Sequence, residues 1–242
     1  MNLIIDAGNT NVKLAIFKKS ELIHLETVVV DLFVESVKKI FKDYPNIKSS
    51  IVSSVGSLSK GQMKVVAVFC DLHELSNASK VPFKNSYASP QTLGVDRIAL
   101  ATAAYYFNPH QNNLVIDVGT CVTYDMLNDF DEYLGGAISP GVQMRYNAMH
   151  QQTAKLPLLE KKELLDYIGN TTENCLHSGV INGITLEIDG VIDLYKARFE
   201  NLTVILTGGD TLFLSKRLKN TIFADSKFLL KGLNYLLEYN KH

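Results

Sequence analysis

Apolar strands and a short polar turn alternate at the start of the chain. Residues 2–5 are mostly apolar and β-branched, which predicts a buried strand, and residues 12–17 predict the strand that returns beside it. Between them, residues 6–11 form a run of small polar residues with one glycine, which is typical of a turn. The pattern therefore predicts two paired strands with the carboxylate of Asp6 at the end of the first.

The same pattern returns almost half a chain later. Residues 113–117 predict another buried strand, which ends in Asp117 and is followed by Gly119, Thr120 and a further apolar strand. Asp6 and Asp117 are 111 positions apart in a chain of 242 residues. One such turn says little, but two copies at this spacing predict a duplicated pair of domains around a shared cleft.

The remaining apolar patterns give the two halves similar contents. In the first half, strands are predicted at 22–30, 50–55 and 64–69, with helices from 32 to about Tyr44 and at 98–106. In the second half, strands are predicted at 121–127, 133–139 and 203–207, with helices at 142–152, 173–199 and 228–239.

Three strands followed by alternating helices and strands are typical of a ribonuclease H-like fold. The polar, proline-containing segment 108–112 has the composition of a domain boundary. The predicted fold class is therefore α/β, with two duplicated ribonuclease H-like domains at 1–108 and 109–242 and a central cleft between them.

Composition narrows the class of protein. Hydrophobic residues make up 46% of the chain, enough for two cores, and the net charge of −1 comes without a basic stripe, which argues against nucleic acid as a partner. Three cysteines without close spacing argue against disulfides or a zinc site and for a reducing compartment. With neither a signal-peptide pattern nor an apolar run of membrane-spanning length, we expect a cytoplasmic protein that does not bind a membrane.

The two aspartate-containing turns suggest phosphate chemistry. Backbone N–H groups and a hydroxyl in such a turn can hold a phosphate, and Asp6 can hold a divalent cation that shields its charge. An ordinary hairpin is the alternative for either turn taken alone. The loop at 56–60 could also face a phosphate, although a plain strand–helix connection is the better interpretation.

Residues 94–97, G-V-D-R, precede the predicted helix at 98–106. Asp96 can act as a general base and Arg97 as a fork that binds a carboxylate. Alternatively, Asp96 is a favourable charge at a helix start and Arg97 its neighbour on the surface. The residues themselves support both interpretations equally.

The long predicted helix at 173–199 carries two further hypotheses. Thr171 and Thr172 can cap its start, and the capping hydroxyl and the first N–H groups can also meet a ligand. The glycines at 179, 183 and 190 lower helix propensity, so we expect close packing there, and this face is a candidate dimer contact.

Taken together, eight short stretches resemble the type III pantothenate kinases, which belong to the superfamily of acetate kinases, sugar kinases, heat-shock chaperones and actin. In the family's order, across nearly the whole chain, they are D-A-G-N-T-N from Asp6, G-V-D-R from Gly94, D-V-G-T-C-V-T from Asp117, G-G-A-I-S-P-G from Gly135, T-A-K-L-P from Thr153, G-N-T-T-E-N-C-L-H-S-G from Gly169, L-T-G-G from Leu206 and L-K-G-L from Leu230. Each stretch is weak alone, but their combination is specific.

The resemblance implies an actin-like ATPase fold and a reaction, the transfer of the ATP γ-phosphate to pantothenate as the first step toward coenzyme A. It implies Asp96 as the base that accepts the proton of the substrate hydroxyl. It implies Mg²⁺ near Asp6, and a monovalent cation, K⁺ or NH₄⁺, at Asp117. It also implies a homodimer with the substrate pocket near the dimer interface.

The resemblance also assigns binding residues. For ATP they are Asp6, Ala7, Gly8, Asn9, Thr10, Asn11, Val12, Lys13 and Thr120. For pantothenate they are Tyr87, Gly94, Val95, Asp96, Arg97 and Thr172.

Two other functions stay open beside this one. A non-catalytic accessory factor is the first, since relatives of this family have been described as transcriptional accessories; the presence of Asp6, Asp96, Arg97 and Asp117 argues against it. A kinase or ATPase with another small substrate is the second, because a fold does not fix a substrate.

Overall fold

In the computed structural model, which describes residues 1–8, 11–54, 58–163 and 166–241, the chain forms two compact units. One unit contains Met1–Phe107 together with Phe228–His242, and the other contains Asn108–Lys227. The chain passes from the first unit to the second after Phe107, one residue before the predicted boundary between 108 and 109. The sequence placed residues 228–242 in the second domain, whereas in the structure they pack with the first unit.

The first unit is built on one mixed sheet. The strands of this sheet are β1 (Asn2–Ala7), β2 (Asn11–Lys18), β3 (Glu21–Val29), β4 (Ser49–Ser54) and β5 (Asp71–Glu74). The unit also contains the two-residue strand β6 (Lys84–Asn85), which is not part of this sheet, and, before residue 108, the helices α1 (Phe33–Asp43), α2 (Lys60–Phe69) and α3 (Val95–Phe107). β1 lies between β2, with which it is antiparallel, and β4, with which it is parallel. β3 flanks β2, and β5 flanks β4.

The central position of β1 follows from its sequence. Its side chains from Leu3 to Ile5 are fully buried, as expected for a strand covered on both faces. Together with Val12, Leu14 and Phe33, Leu3 and Ile5 belong to one apolar core beneath α1 and α2. A buried central strand fixes the position of Asp6 at its carboxyl end.

The prediction of a strand at 64–69 is wrong, because these residues belong to α2. A short apolar run fits either a buried strand or a helix, and here the helix start decides. Ser59 and Gln62 form a capping box, in which the Ser59 hydroxyl accepts from the Gln62 N–H at 3.3 Å and the Gln62 side chain accepts from the Ser59 N–H at 2.9 Å. Met63 and Val66 then face the core, whereas Val68 is exposed.

The second unit repeats the strand order of the first. Its elements are β7 (Asn113–Val118), β8 (Cys121–Leu127), β9 (Glu132–Pro140), α4 (Val142–Gln151), α5 (Thr172–Arg198), β10 (Thr203–Thr207), α6 (Thr211–Leu214) and β11 (Phe223–Ala224). β7 lies between antiparallel β8 and parallel β10, with β9 beyond β8 and β11 beyond β10. Apart from the two-residue strand β6, the sheet orders 3-2-1-4-5 and 9-8-7-10-11 are therefore equivalent, which confirms the predicted duplication of an α/β unit.

Helix α5 forms one wall of the second core. The aliphatic side chains on its inner face, among them Ile181, Ile184 and Ile188, pack with β7, β8 and α4 residues such as Tyr124 and Tyr146. In the part of the chain that the structure describes, neither this helix nor any other is long and apolar enough to cross a bilayer.

The last helix, α7 (Phe228–Asn240), explains why the chain's end joins the first unit. Gly232 lies so close to α3 that a Cβ there would overlap the carbonyl of Ala99. Buried Asn2 donates to Asn234 at 2.8 Å and to Glu238 at 2.6 Å, which ties α7 to the start of β1.

Candidate active site

Asp6 stands at the carboxyl end of the central strand of the first unit. The β1–β2 register places it opposite Lys13, whose ammonium donates to the Asp6 carboxylate at 3.2 Å. The Asp6 side chain is 16% exposed. Burial raises its pKa above the ordinary value, Lys13 acts in the opposite direction, and the charge of Asp96 adds to the rise. The structure therefore brings three of the predicted site residues, Asp6, Lys13 and Asp96, together in one unit.

Asp96 lies in the first turn of α3, with its carboxylate folded back against the backbone. Its Oδ1 accepts from the N–H of Arg97 at 2.9 Å. A Cβ at position 94 would overlap this carboxylate, so Gly94 leaves room for it. The resulting arrangement fixes the direction of one oxygen of Asp96.

Arg97 is buried, which rules out its interpretation as a surface neighbour of Asp96. Only 5% of the residue is exposed, and its guanidinium lies 5.8 Å from the centre of the half-buried Tyr87 ring. This is within the range of a cation–π contact. The planar guanidinium of an arginine is a fork of donors whose geometry matches a carboxylate.

Asp117 is the next-to-last residue of β7 in the second unit, the position that Asp6 occupies in β1. The loop after β10 closes over it: the N–H of Asp210 donates to the Val118 carbonyl at 3.0 Å. Gly208 has a φ of 100°, and a Cβ there would overlap both the Asp117 carboxylate and the Val118 carbonyl. The glycine backbone after β10 therefore passes directly against Asp117.

Both aspartate-containing turns are closed by the same kind of hydrogen bond. The N–H of Gly8 donates to the Asn11 carbonyl, and the N–H of Gly119 donates to the Cys121 carbonyl, each at 3.0 Å. Thr120 is exposed at the tip of the second turn. Of the predicted phosphate-binding residues in the first turn, Asn9 and Thr10 lie outside the described residues, as do residues 56 and 57 of the candidate loop at 56–60.

Thr172 is the first residue of α5, one residue before the predicted helix start at 173. The hydroxyl of Thr171, the N-cap, accepts from the Asn174 N–H at 3.1 Å, and Thr172 itself is exposed. Thr172 belongs to the second unit, whereas Tyr87, Gly94, Val95 and Arg97 belong to the first. Their joint contact with one substrate stays a prediction.

The donor atoms of the site limit the metals it can hold. Among the residues that the structure describes, no three His, Cys, Asp or Glu side chains lie close enough together to hold a metal ion. A single carboxylate such as Asp6 suits Mg²⁺, which usually keeps waters and substrate phosphates as its other ligands. The site therefore fits a magnesium ion that arrives with a nucleotide.

Sequence reasoning missed one charged group in the second unit. Arg145 in α4 pairs with Glu187 in α5, with 2.5 Å between Nη2 and Oε2. Their separation of 42 positions leaves no local signal for the pair. A sequence signal that points to Arg145 is its position four residues after Gly141, where a strand is followed by a helix.

Comparison with known proteins agrees with this geometry. The family model for type III pantothenate kinase matches residues 2–194. A type III pantothenate kinase of Christiangramia forsetii is 47% identical over 241 residues, which cover 100% of this chain and 99% of that protein. Another, from Flavobacterium psychrophilum, is also 47% identical and is covered over its whole length.

Solved structures with the same fold include proteins of several activities. A structure described as a Baf family transcriptional activator from Campylobacter jejuni has a TM-score of 0.67 and 24% identity, with 98% of both chains covered. A glucokinase from an Antarctic psychrotroph has a TM-score of 0.53 and 14% identity, again with 98% of both chains covered. These likenesses confirm the fold class of actin-like ATPases and sugar kinases.

Proposed function

The chain belongs to the type III pantothenate kinase family, and on this premise we propose how its residues transfer the γ-phosphate of ATP to pantothenate. The reaction phosphorylates an alcohol and is the first step of coenzyme A biosynthesis. One observation carries the residue assignment: Asp96 lies beside the buried Arg97, and the negative charge of Asp96 contributes to the raised pKa of Asp6. Phosphoryl transfer requires positioning and charge neutralisation more than covalent chemistry, and this cluster can supply both.

Asp96 is the proposed general base. One of its oxygens accepts from the Arg97 N–H, which orients the carboxylate. The carboxylate is half-buried at the start of α3, so it can meet a substrate hydroxyl. Accepting the hydroxyl proton as the oxygen attacks the γ-phosphorus is the role of an aspartate in kinases of other folds too.

Asp6 and Lys13 are the proposed phosphate end of the nucleotide site, with the β1–β2 turn from Ala7 to Val12. Asp6 would hold Mg²⁺, which supplies neutralisation of the phosphate charge. The Lys13 ammonium, 43% exposed and already directed at Asp6, adds a positive charge at the same strand end. Burial raises the pKa of Asp6, as expected for a carboxylate that gains from a bound cation.

Asp117 is the proposed site of the monovalent cation, K⁺ or NH₄⁺. Its carboxylate is half-buried, and the main-chain carbonyl of Val118 lies close by at the same strand end. Hard oxygen ligands of this kind suit such cations. Thr120, exposed three residues later, is the proposed ATP contact in this turn.

Arg97 is the proposed anchor for the pantothenate carboxylate. Its planar fork matches a carboxylate, and its burial against Tyr87 strengthens a charge-assisted bond. Gly94 and Val95 line the same helix start, and Thr172 completes the proposed substrate set. A carboxylate-bearing substrate is what this arrangement favours over a neutral sugar.

A homodimer is the proposed assembly, with α5 at its interface. Leu186 and Leu194 on this helix are 62% and 72% exposed, and open space lies beyond the glycines at 179, 183 and 190. Leu194→Glu should raise the dissociation constant of the dimer in sedimentation experiments. Leu212→Glu, at a leucine of α6 that is 74% exposed, is the matched control, and equal effects of the two changes would refute this interface.

We also propose a cytoplasmic location, which is supported by the three free cysteine thiols.

A phosphorylation assay tests the function. Purified full-length protein would receive ATP, MgCl₂, KCl and pantothenate, and 4′-phosphopantothenate would be measured by mass spectrometry. We expect product that depends on all four additions. ADP formation without pantothenate, or equal transfer to glucose or to an analogue of pantothenate with an amidated carboxylate, would instead indicate an ATPase or another kinase of this fold.

A further inference from the structure

Arg145 folds back along the corner between β9 and α4. Its Nε donates to the Pro140 carbonyl at 2.9 Å, and its Nη2 donates to the Ser139 hydroxyl at 3.0 Å. The backbone N–H of Arg145 donates to the Gly141 carbonyl at 3.1 Å in the first turn of α4. A single side chain therefore holds the last two residues of the strand against the helix that follows it.

Glu187 of α5 keeps the guanidinium in this position. Its Oε2 lies 2.5 Å from Arg145 Nη2, and its Oε1 accepts from the Tyr124 hydroxyl at 3.1 Å. Partial burial alone would raise the pKa of Glu187, but hydrogen bonds from Arg145, Ser139 and Tyr124 more than offset it and lower the pKa below its ordinary value. The carboxylate is therefore held charged, and it joins α5 and β8 to the β9–α4 corner.

The corner lies directly beneath the turn that carries Thr120. The N–H of Gly141 donates to the Thr120 carbonyl at 3.0 Å, and Pro140 is the register partner of Cys121. A Cβ on Gly141 would overlap the carbonyls of Gly119 and Thr120. Because the contact is this close, any shift of Pro140 or Gly141 moves the turn as well.

We propose that Arg145, held by Glu187, is a positioning residue that fixes the Gly119–Thr120 turn for the phosphates of ATP. The inference rests on the proposed contact between Thr120 and ATP. Arg145 and Glu187 should affect the binding of ATP rather than of pantothenate, because the hydrogen bonds of Arg145 end on Ser139 and Pro140, next to the Gly119–Thr120 turn. A role in stability alone would affect both substrates equally.

Arg145→Lys tests the fork, since a lysine retains the charge but cannot donate in fixed directions to Pro140, Ser139 and Glu187 together. Glu187→Gln tests whether the charged carboxylate of Glu187 holds Arg145 in place. Asp189→Asn is the matched control: this buried carboxylate lies on the same helix but accepts from the backbone of Lys219 and Asn220 at 3.0 to 3.1 Å, away from the β9–α4 corner.

The measurements are kcat, KM for ATP, KM for pantothenate, the dissociation constant of ADP by calorimetry and the thermal unfolding midpoint. For Arg145→Lys we expect kcat/KM for ATP and ADP affinity to fall about 10- to 100-fold, as when supporting residues of other sites are removed. KM for pantothenate should stay at the wild-type value. Glu187→Gln should change the same quantities by less, and Asp189→Asn should lower only the unfolding midpoint.

Wild-type values for ATP and ADP in Arg145→Lys would overturn the proposal, as would equal losses for both substrates. If Arg145→Lys does not fold, Glu187→Gln decides in the same measurements. If the wild-type protein binds ADP but does not phosphorylate pantothenate, the proposed function fails, while the ADP affinities of the variants still decide the role of Arg145.

Discussion

Replacing Gly208 by alanine should both destabilise the second unit and disturb Asp117. Gly208 has a φ of 100°, a conformation that costs an L-residue about 1–3 kcal/mol. The new methyl group would also overlap the Asp117 carboxylate and the Val118 carbonyl, so a packed strand end must move. Overpacking of this kind costs about 1–3 kcal/mol more, so we expect a total loss of about 2–6 kcal/mol in the free energy of unfolding.

Gly209→Ala is the matched control in the same loop. A Cβ at that position meets nothing within 4 Å, and Gly209 is not among the residues with positive φ. At such a site alanine is expected to be neutral or to stabilise by about 0.4–1 kcal/mol, because it restricts the unfolded chain. The pair therefore separates the local geometry of Gly208 from a general effect of adding a methyl group to this loop.

The assay is equilibrium unfolding in urea, combined with titration of kinase activity against K⁺. A double-mutant cycle with Asp117→Ala isolates the overlap with the carboxylate, since Gly208→Ala should cost less once that side chain is absent. In the otherwise wild-type protein, Gly208→Ala should also raise the K⁺ concentration needed for half-maximal activity. Equal free energies of unfolding for Gly208→Ala and Gly209→Ala would refute the reasoning.

Three further predictions concern the chemistry. Asp96→Asn should lower kcat by about 10²–10⁴, the usual effect of losing a general base, with ADP affinity by calorimetry nearly unchanged; a near-wild-type kcat would make Asp96 only a helix-start charge. Arg97→Lys should cost about 1.5–3 kcal/mol of pantothenate binding and so raise KM for pantothenate strongly and KM for ATP little, whereas the reverse in steady-state kinetics would move Arg97 to the nucleotide site. Asp117→Asn should weaken activation by K⁺ or NH₄⁺, and an unchanged activation curve would place the cation elsewhere.

The paired strands at the start of each half could be predicted because their signals are local. Strands β1, β2, β7 and β8 each carry a buried apolar run next to a small polar turn, and the structure confirms them together with the repeated sheet order. The apolar run of helix α2 fits a buried strand as well as a helix, and the capping pair Ser59 and Gln62 is the local signal that favours the helix.

Other features had no local signal. The packing of α7 on the first unit depends on Gly232 against Ala99 and on Asn2 against Asn234, contacts between residues that are far apart in the chain. The burial of Arg97 against Tyr87 also depends on tertiary packing, so the residues alone left its role open. The family motifs predict Arg97 and Tyr87 as substrate-binding residues, but the fold was needed to show that the two lie in the same unit.

The two copies of the aspartate-containing turn differ in the residue that stands opposite the aspartate. Asp6 faces Lys13 across the strand pair, whereas Asp117 faces Thr123, whose hydroxyl donates instead to Asp125 at 2.9 Å. The second turn is one residue shorter, because Ala7 pairs with Val12 but Val118 pairs with Val122, yet the residue after the paired valine stands opposite the aspartate in both copies. The change of partner is therefore a change of side chain at equivalent positions of the two hairpins. The proposal of Mg²⁺ at Asp6 and a monovalent cation at Asp117 assigns different cations to these two environments.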